Sequence, residues 1–213
     1  MAVLDPTLIT GLPAKLTAAT GMDAMSHAVE GLFSNLRNPL SDAYASEAIR
    51  LVSIWLPRSL EKPDDLNARG QMLMAANMAG TCFSNAMVSL NHAMAHSLGA
   101  LYHIHHGTLN AVLLPHTMRE FIDVAGERLS VVARAMGLDV TGMSDTQVGE
   151  AAADRMAAFI REVGLTEGLA ELGVPEDGPA KAAEMALSDG CIIYSPKPVF
   201  DPAEIEPIIR KAM

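Results

Sequence analysis

The stretch Met22-Asp-Ala-Met-Ser-His-Ala-Val-Glu-Gly-Leu-Phe-Ser-Asn-Leu36 sets Met25, Val29 and Leu32 three and four residues apart, the spacing that lines one face of an α-helix. Asp23 and His27 stand four apart in the same stretch. On a helix that places their Cβ atoms about 5–6 Å apart on one face, so both side chains can reach one ion. Before this stretch, Pro13 opens a first helix and Gly21 interrupts it; after it, Asn38-Pro39 breaks the pattern. Ser41-Asp42 caps a helix to about Leu60, with Ile49, Val52 and Leu56 on one stripe. Pro63-Asp64-Asp65 opens a long helical run to about Tyr102, broken near Gly80 to Asn85, in which Met72, Leu73, Ala76 and Ala79 suit tight helix contact.

Tyr102 to Gly107 reads as a turn, followed by an apolar segment that ends at Leu114-Pro115. Gly137 stops the next helix, and Ser144-Asp-Thr-Gln147 is a capping box for a helix reaching Gly164. Short helices at 179–188 and 202–212 complete the pattern, and only Cys191-Ile-Ile-Tyr194 looks like a strand. The expectation is an all-α fold, a single multi-helix domain over residues 1–213.

Composition agrees. Half of the side chains are hydrophobic while only 4% are aromatic, and the 14 methionines read as gap-filling in a helical core. A formal charge of −10 with only 15 Lys and Arg argues against nucleic acid or an anionic membrane as partner. No apolar run approaches the roughly 18 residues of a membrane span, and Met1-Ala-Val-Leu-Asp-Pro6 has no signal-peptide pattern. Two cysteines, Cys82 and Cys191, form no disulfide framework, so a reducing cytoplasm is the expected location.

Five of the seven histidines fall between His92 and His106. His92 and His96 repeat the four-residue spacing of Asp23 and His27, and His106 follows at the mouth of the next segment. Two such pairs and a third element point to a metal site. One carboxylate with several imidazoles suits Fe(II), Zn(II), Ni(II) or Mn(II) better than Ca or Mg. The chain has no His-Glu-x-x-His, no Glu-x-x-His, no His-Asp dipeptide and no Gly-x-Ser-x-Gly elbow, which leaves zincins, di-iron bundles, helical phosphohydrolases and serine hydrolases without support.

These blocks carry a resemblance. The run from Asp5-Pro6 through Leu12-Pro13 to Asp23-Ala-Met-Ser-His27-Ala-Val-Glu30 resembles the start of the helical half of iron-containing (group III) alcohol dehydrogenases, the C-terminal domain of the dehydroquinate synthase-like fold. Asn91-His92-Ala-Met-Ala-His96-Ser-Leu-Gly99, His106-Gly107 and Asn110-Ala-Val-Leu-Leu-Pro115-His116 are similar to the family's second signature, and the likeness runs to Ser195-Pro-Lys-Pro198. The resemblance implies Asp23, His27, His92 and His106 as metal ligands. It implies His96 beside the metal as the proton relay, and Phe83 lining the pocket by the nicotinamide, a core aromatic being the other reading. Glu30 reads equally as a partner holding the His27 ring or as a solvated or capping residue; His103, His105 and His116 take no role from the family. Maleylacetate reductases carry Asn at the first ligand, so Asp23 points to a metal-dependent alcohol dehydrogenase.

The activity implied is interconversion of an alcohol and an aldehyde or ketone by hydride transfer, with a divalent ion (iron by family habit, zinc or nickel on the same ligands) and NAD or NADP. The partners implied are a small-molecule alcohol or aldehyde and further copies of the chain, a homo-oligomer covering the exposed apolar wall. No G-x-G-x-x-G and no strand–helix alternation is present, so the family's N-terminal dinucleotide-binding domain is expected to be absent from this chain. A catalytically silent metal-binding or interaction module is the second reading.

Overall fold

The computed structural model describes residues 3–213, which form nine α-helices and no strand among the described residues. The all-α expectation holds. At the centre is α1 (Ala14–Phe33), packed against α2 (Pro39–Glu61), α3 (Leu66–Ala86) and α5 (His106–Glu120). Between Gly21 and Ser34 every residue of this helix is buried except Asp23 and His27. A helix buried on nearly all sides is stable only inside a bundle, so its two partly exposed residues mark the one side left open.

Gly21 does not interrupt α1. The helix runs through it because the missing side chain admits a neighbour: a Cβ there would lie 2.6 Å from Leu56 Cδ1 of α2. Nor does Asn38-Pro39 merely break the chain. Asn38 caps α2 by accepting hydrogen bonds from the N–H groups of Leu40 and Ser41, Pro39 takes the first turn, and Ser41 Oγ accepts from Asn38 N. The cap thus precedes the expected Ser41-Asp42.

The long run after Asp65 divides later than the sequence suggests, at Met87–Ser89, between α3 and α4 (Leu90–Tyr102). Ser89, the N-cap of α4, makes no local side-chain cap; its N–H and that of Asn91 are bound instead by Glu30 of α1. α4 ends at His103, whose backbone is left-handed at φ 57°, and the chain re-enters helix at His106, as the Tyr102–Gly107 turn requires. α5 passes through Pro115 to Glu120 rather than stopping there, held by packing on α1 and α7 (Asp145–Glu162) that outweighs one forfeited hydrogen bond.

α6 (Ile122–Ala135) pairs with α7, whose Ser144–Gln147 capping box is present as expected. α8 (Gly178–Ala186) packs on α4 and on α9 (Pro202–Arg210). Gly190–Tyr194 is a 3-10 turn, not a strand: the carbonyls of Ile193 and Tyr194 accept from the Asn35 side chain and N–H, and no neighbouring strand pairs with it. Met22, Met25, Met94, Met118 and Met156 are fully buried in one continuous core, in keeping with the gap-filling reading of the methionines.

Candidate metal centre

α1 supplies Asp23 and His27, α4 supplies His92 and His96, and the first turn of α5 supplies His106. The helices meet closely. A Cβ on Gly107 would stand 2.2 Å from the Ala19 carbonyl oxygen, so glycine there lets α5 touch the α1 backbone and brings His106 over Asp23.

The donor atoms converge. His27 Nε2 and His92 Nε2 are 3.2 Å apart; Asp23 Oδ1 lies 3.3 Å from His106 Nε2 and 4.0 Å from His92 Nε2. Four ligands about 2.1 Å from one ion in a tetrahedron stand about 3.4 Å from one another, so the first two of these separations lie close to such an edge and the third is longer. Ligating atoms of Asp23, His27 and His92 all lie within 4.8 Å of one another, and His106 joins them through Asp23.

Burial is graded. The side chains of His96 and His106 are 45% and 40% exposed, His27 and Asp23 17% and 25%, His92 2%, and Glu30 none. The site is a funnel with a carboxylate at its floor. Glu30 is paired with His92 Nδ1 and accepts from Ser89 N at 3.0 Å, Ser89 Oγ at 2.8 Å and Asn91 N at 3.0 Å. A carboxylate only accepts, so His92 Nδ1 carries the hydrogen and Nε2 presents its lone pair to the cluster. Burial pushes the Glu30 carboxyl up, but His92 and the Ser89 bonds outweigh it and hold it below the ordinary range. The sequence allows Glu30 as a ring partner of His27 or as a solvated or capping residue. It is in fact the partner of His92 and a cap of α4.

Asn110 was missed. Its Nδ2 donates to Asp23 Oδ1 at 2.8 Å and stands 3.0 Å from His106 Nε2 and 3.2 Å from His92 Nε2. A buried chain fixes its orientation: Thr117 Oγ1 donates to Asn91 Oδ1 at 2.9 Å, and Asn91 Nδ2 donates to Asn110 Oδ1 at 3.0 Å. The available signal was its position one turn after His106, the same i,i+4 spacing as the histidine pairs.

Phe83 stacks on the His27 ring with centroids 4.5 Å apart, so it adjoins the cluster rather than the core. His96 stacks on the His106 ring at 5.2 Å and 14°, while its Nδ1 lies 2.7 Å from Asp189 Oδ2. His103 and His105 are exposed on the turn, and His116 is half-buried away from the cluster beside Arg119 and Lys211.

Electrostatics favour a charged Asp23 beside a neutral His27. Burial pushes Asp23 up, but the His106 contact, the charges of His27 and His106, and the Asn110 amide hold it down at about 2. Burial, then the charge of His92, lowers His27 to about 4; the hydrogen bond to Asp23 raises His106. Unfolded, His27 titrates near 6.5, so between pH 6.5 and 4 the unfolded chain binds the extra proton. His106 opposes only above 6.5, where its contribution is lost as the pH rises through its raised value. Metal-free protein therefore loses about 3 kcal/mol from His27 as the pH falls across that window. Urea midpoints measured from pH 7 to 4 check this, and a His27→Phe chain should lack that part of the slope.

Comparison with known proteins agrees with the helical bundle. The Fe-containing alcohol dehydrogenase family, C-terminal, matches residues 17–213. The chain is 41% identical over 212 residues to the 1,3-propanediol dehydrogenase of Klebsiella pneumoniae, covering 100% of this chain and 54% of that protein. It is 34% identical over 213 residues to the NAD-dependent methanol dehydrogenase of Bacillus methanolicus, of which it covers 56%. A crystal structure of 1,3-propanediol oxidoreductase superimposes with a TM-score of 0.95 at 42% identity, over 98% of this chain and 55% of that one. Maleylacetate reductase from Agrobacterium tumefaciens superimposes at 0.85 with 30% identity, again over 98% of this chain and 55% of that one. The chain spans about half the length of the relatives it matches. A funnel of histidines around Asp23 on a bundle of this shape, with a family match over nearly its whole length, places the chain in the Fe-containing alcohol dehydrogenase family, as its C-terminal helical part.

Proposed function

We propose that this chain is the metal- and substrate-binding helical part of an NAD- or NADP-dependent alcohol dehydrogenase, with Asp23, His27, His92 and His106 holding one divalent ion. The observation that carries the reading is the convergence of a low-pKa carboxylate and imidazole nitrogens, two of their separations close to tetrahedral edges. Iron is the metal of the family name; zinc and nickel suit the same donors. A divalent ion held there supplies Lewis acidity toward an alcohol or carbonyl oxygen.

The protein residues do the rest. Asp23 brings one negative charge to the ion, and Asn110 keeps its carboxylate turned inward. Glu30 fixes the His92 ring so that Nε2 faces the donors. Phe83 covers one face of His27 and narrows the wet side of the site, where the nicotinamide ring would lie. His96, at the half-exposed mouth, takes the alcohol proton toward solvent, as a positioned imidazole can. No Gly-rich phosphate loop occurs in the sequence, so the dinucleotide diphosphate is held by residues outside this helical unit.

The test is metal analysis of protein purified without chelators, with its variants. The expected result is one divalent ion per chain, lost in Asp23→Ala and His27→Ala and retained in His96→Ala. In the full-length enzyme, His96→Ala should lower kcat about 10²-fold or more. Protein that binds no ion, or that binds it equally well without Asp23 and His27, overturns the assignment.

A further inference from the structure

Two imidazole–carboxylate pairs stand one turn apart on α4. In the first, Glu30 fixes His92 at the floor of the funnel. In the second, His96 Nδ1 lies 2.7 Å from Asp189 Oδ2, and the ring stands at the mouth, stacked on His106. His96 and Asp189 are 93 residues apart in sequence, so this pair exists only through tertiary packing.

Asp189 is itself fixed. Its Oδ1 accepts from Cys191 N at 2.9 Å, which caps the 3-10 turn Gly190–Tyr194. That turn is tied to α4 by Cys191 Sγ, which donates to Ser89 O at 3.4 Å, and to the end of α1 by Asn35. One carboxylate oxygen is thus used by the backbone and the other is left for His96. Cys191 N and Sγ, the Asp189 carboxylate and the His96 ring form a small cluster beside an open cleft of about 300 Å³ bordered by Ala100, Met185 and Ser188.

We infer that Asp189 is the positioning residue for His96: it accepts the Nδ1 hydrogen, fixes the ring against His106, and leaves Nε2 as the nitrogen that receives the alcohol proton. This rests on the function proposed above and adds a residue to it. The chemistry follows from the acceptor-only character of a carboxylate, which obliges Nδ1 to be the donor and Nε2 to hold the lone pair. His96 Nε2 has no hydrogen-bond partner among the described residues, whereas His92 Nε2, with the same Nδ1 arrangement, faces His27. The same device therefore prepares one histidine to hold an ion and the other to move a proton. In the transfer the substrate O–H bond breaks, an N–H bond forms at Nε2, and the electron pair stays on oxygen. The proton then leaves from Nε2 to water, and Asp189 keeps its bond to Nδ1 throughout.

The experiment uses Asp189→Asn, whose side-chain oxygen can still accept from Cys191 N, with Asp189→Ser as a second variant. In zinc-loaded protein labelled with ¹⁵N-histidine, His96 of the parent should be the Nδ1–H tautomer. In Asp189→Asn the amide can donate to Nδ1, so most of the population should shift to Nε2–H, as happens when a triad carboxylate becomes an amide. Zinc content and melting temperature should match the parent. In the full-length enzyme, kcat should fall roughly 100-fold with KM within about twofold, and Asp189→Glu should recover part of the loss. The same substitution on a His96→Ala background should cost nothing further. An unchanged tautomer, or an equal loss on the His96→Ala background, overturns the inference. A parent enzyme with no nicotinamide-linked turnover would instead defeat the proposed function, and the tautomer measurement would still decide the role of Asp189.

Discussion

Replacing Glu30 by alanine is expected to cost the metal-free protein about 3–5 kcal/mol, because each buried donor left without its acceptor costs about 1–3 kcal/mol. For a chain of this size that is a fall in melting temperature of about 6–20 °C. Four groups lose their acceptor at once: His92 Nδ1, Ser89 N, Ser89 Oγ and Asn91 N, all buried. Two of these are the opening N–H groups of α4, so its first turn should fray and carry His92 away from His27. Glu30→Gln separates the two roles. Its carbonyl oxygen can still accept from Ser89 and Asn91, so most stability should survive. Its NH₂ now faces His92 Nδ1, which favours the other tautomer, with a hydrogen on the Nε2 that should bind the ion. Zinc affinity should then fall about 10–100-fold. Thermal melts with zinc titrations of both variants read these effects; a Glu30→Ala protein as stable as the parent would refute the account.

The second large effect is expected at Gly107. A methyl group there would meet the Ala19 carbonyl oxygen at 2.2 Å and its carbon at 2.8 Å, with Asp23 Cβ at 3.2 Å. Backbone cannot swing aside as a side-chain tip can, so Gly107→Ala must push α5 from α1. Overpacking of this kind costs about 1–3 kcal/mol, and the upper end applies where both obstacles are main chain. The displacement acts directly on the contact between His106 and Asp23, so zinc affinity should fall by more than stability alone would suggest. By contrast, a Cβ at Gly80 meets nothing within 4 Å, and Gly80→Ala should leave zinc affinity unchanged. Equal affinities for the two variants would show that the approach of α5 to α1 does not set the site.

Most of the bundle could be read from the chain because its helices carry their own signals. The Ser144–Gln147 capping box and the apolar periodicity around Met25, Val29 and Leu32 act within a turn or two, and such terms are visible locally. The convergence of Asp23, His27, His92 and His106 was also legible, from two i,i+4 pairs and a motif order that resembles a known family. What escaped was determined at a distance. The start of α4 was misplaced because its N-terminus is satisfied by Glu30, some 60 residues earlier, and no local residue announces it. Asp189 had no periodicity to connect it with His96. The strand-like run at Cys191–Tyr194 had suitable side chains but no partner, since Asn35 takes its carbonyls. Gly21 and Asn38-Pro39 were read as breaks where packing and capping make one a contact and the other a beginning.

The burial of α1 on nearly every side bears on the order in which the protein is made. α1 is complete at Phe33, but α5 does not end until Glu120. At ribosomal speeds of about 5–20 residues per second, that leaves an interval of about 5–20 s. α2 and α3 follow promptly and can shield two flanks of the growing chain. The flank bearing Asp23 and His27 waits for α5, so the ion-binding pocket closes only after α2 and α3 are in place. Until then the nascent polypeptide carries an uncovered seam of alanine and methionine, a surface that molecular chaperones are built to recognise and that ties successful synthesis to the arrival of the His106 turn.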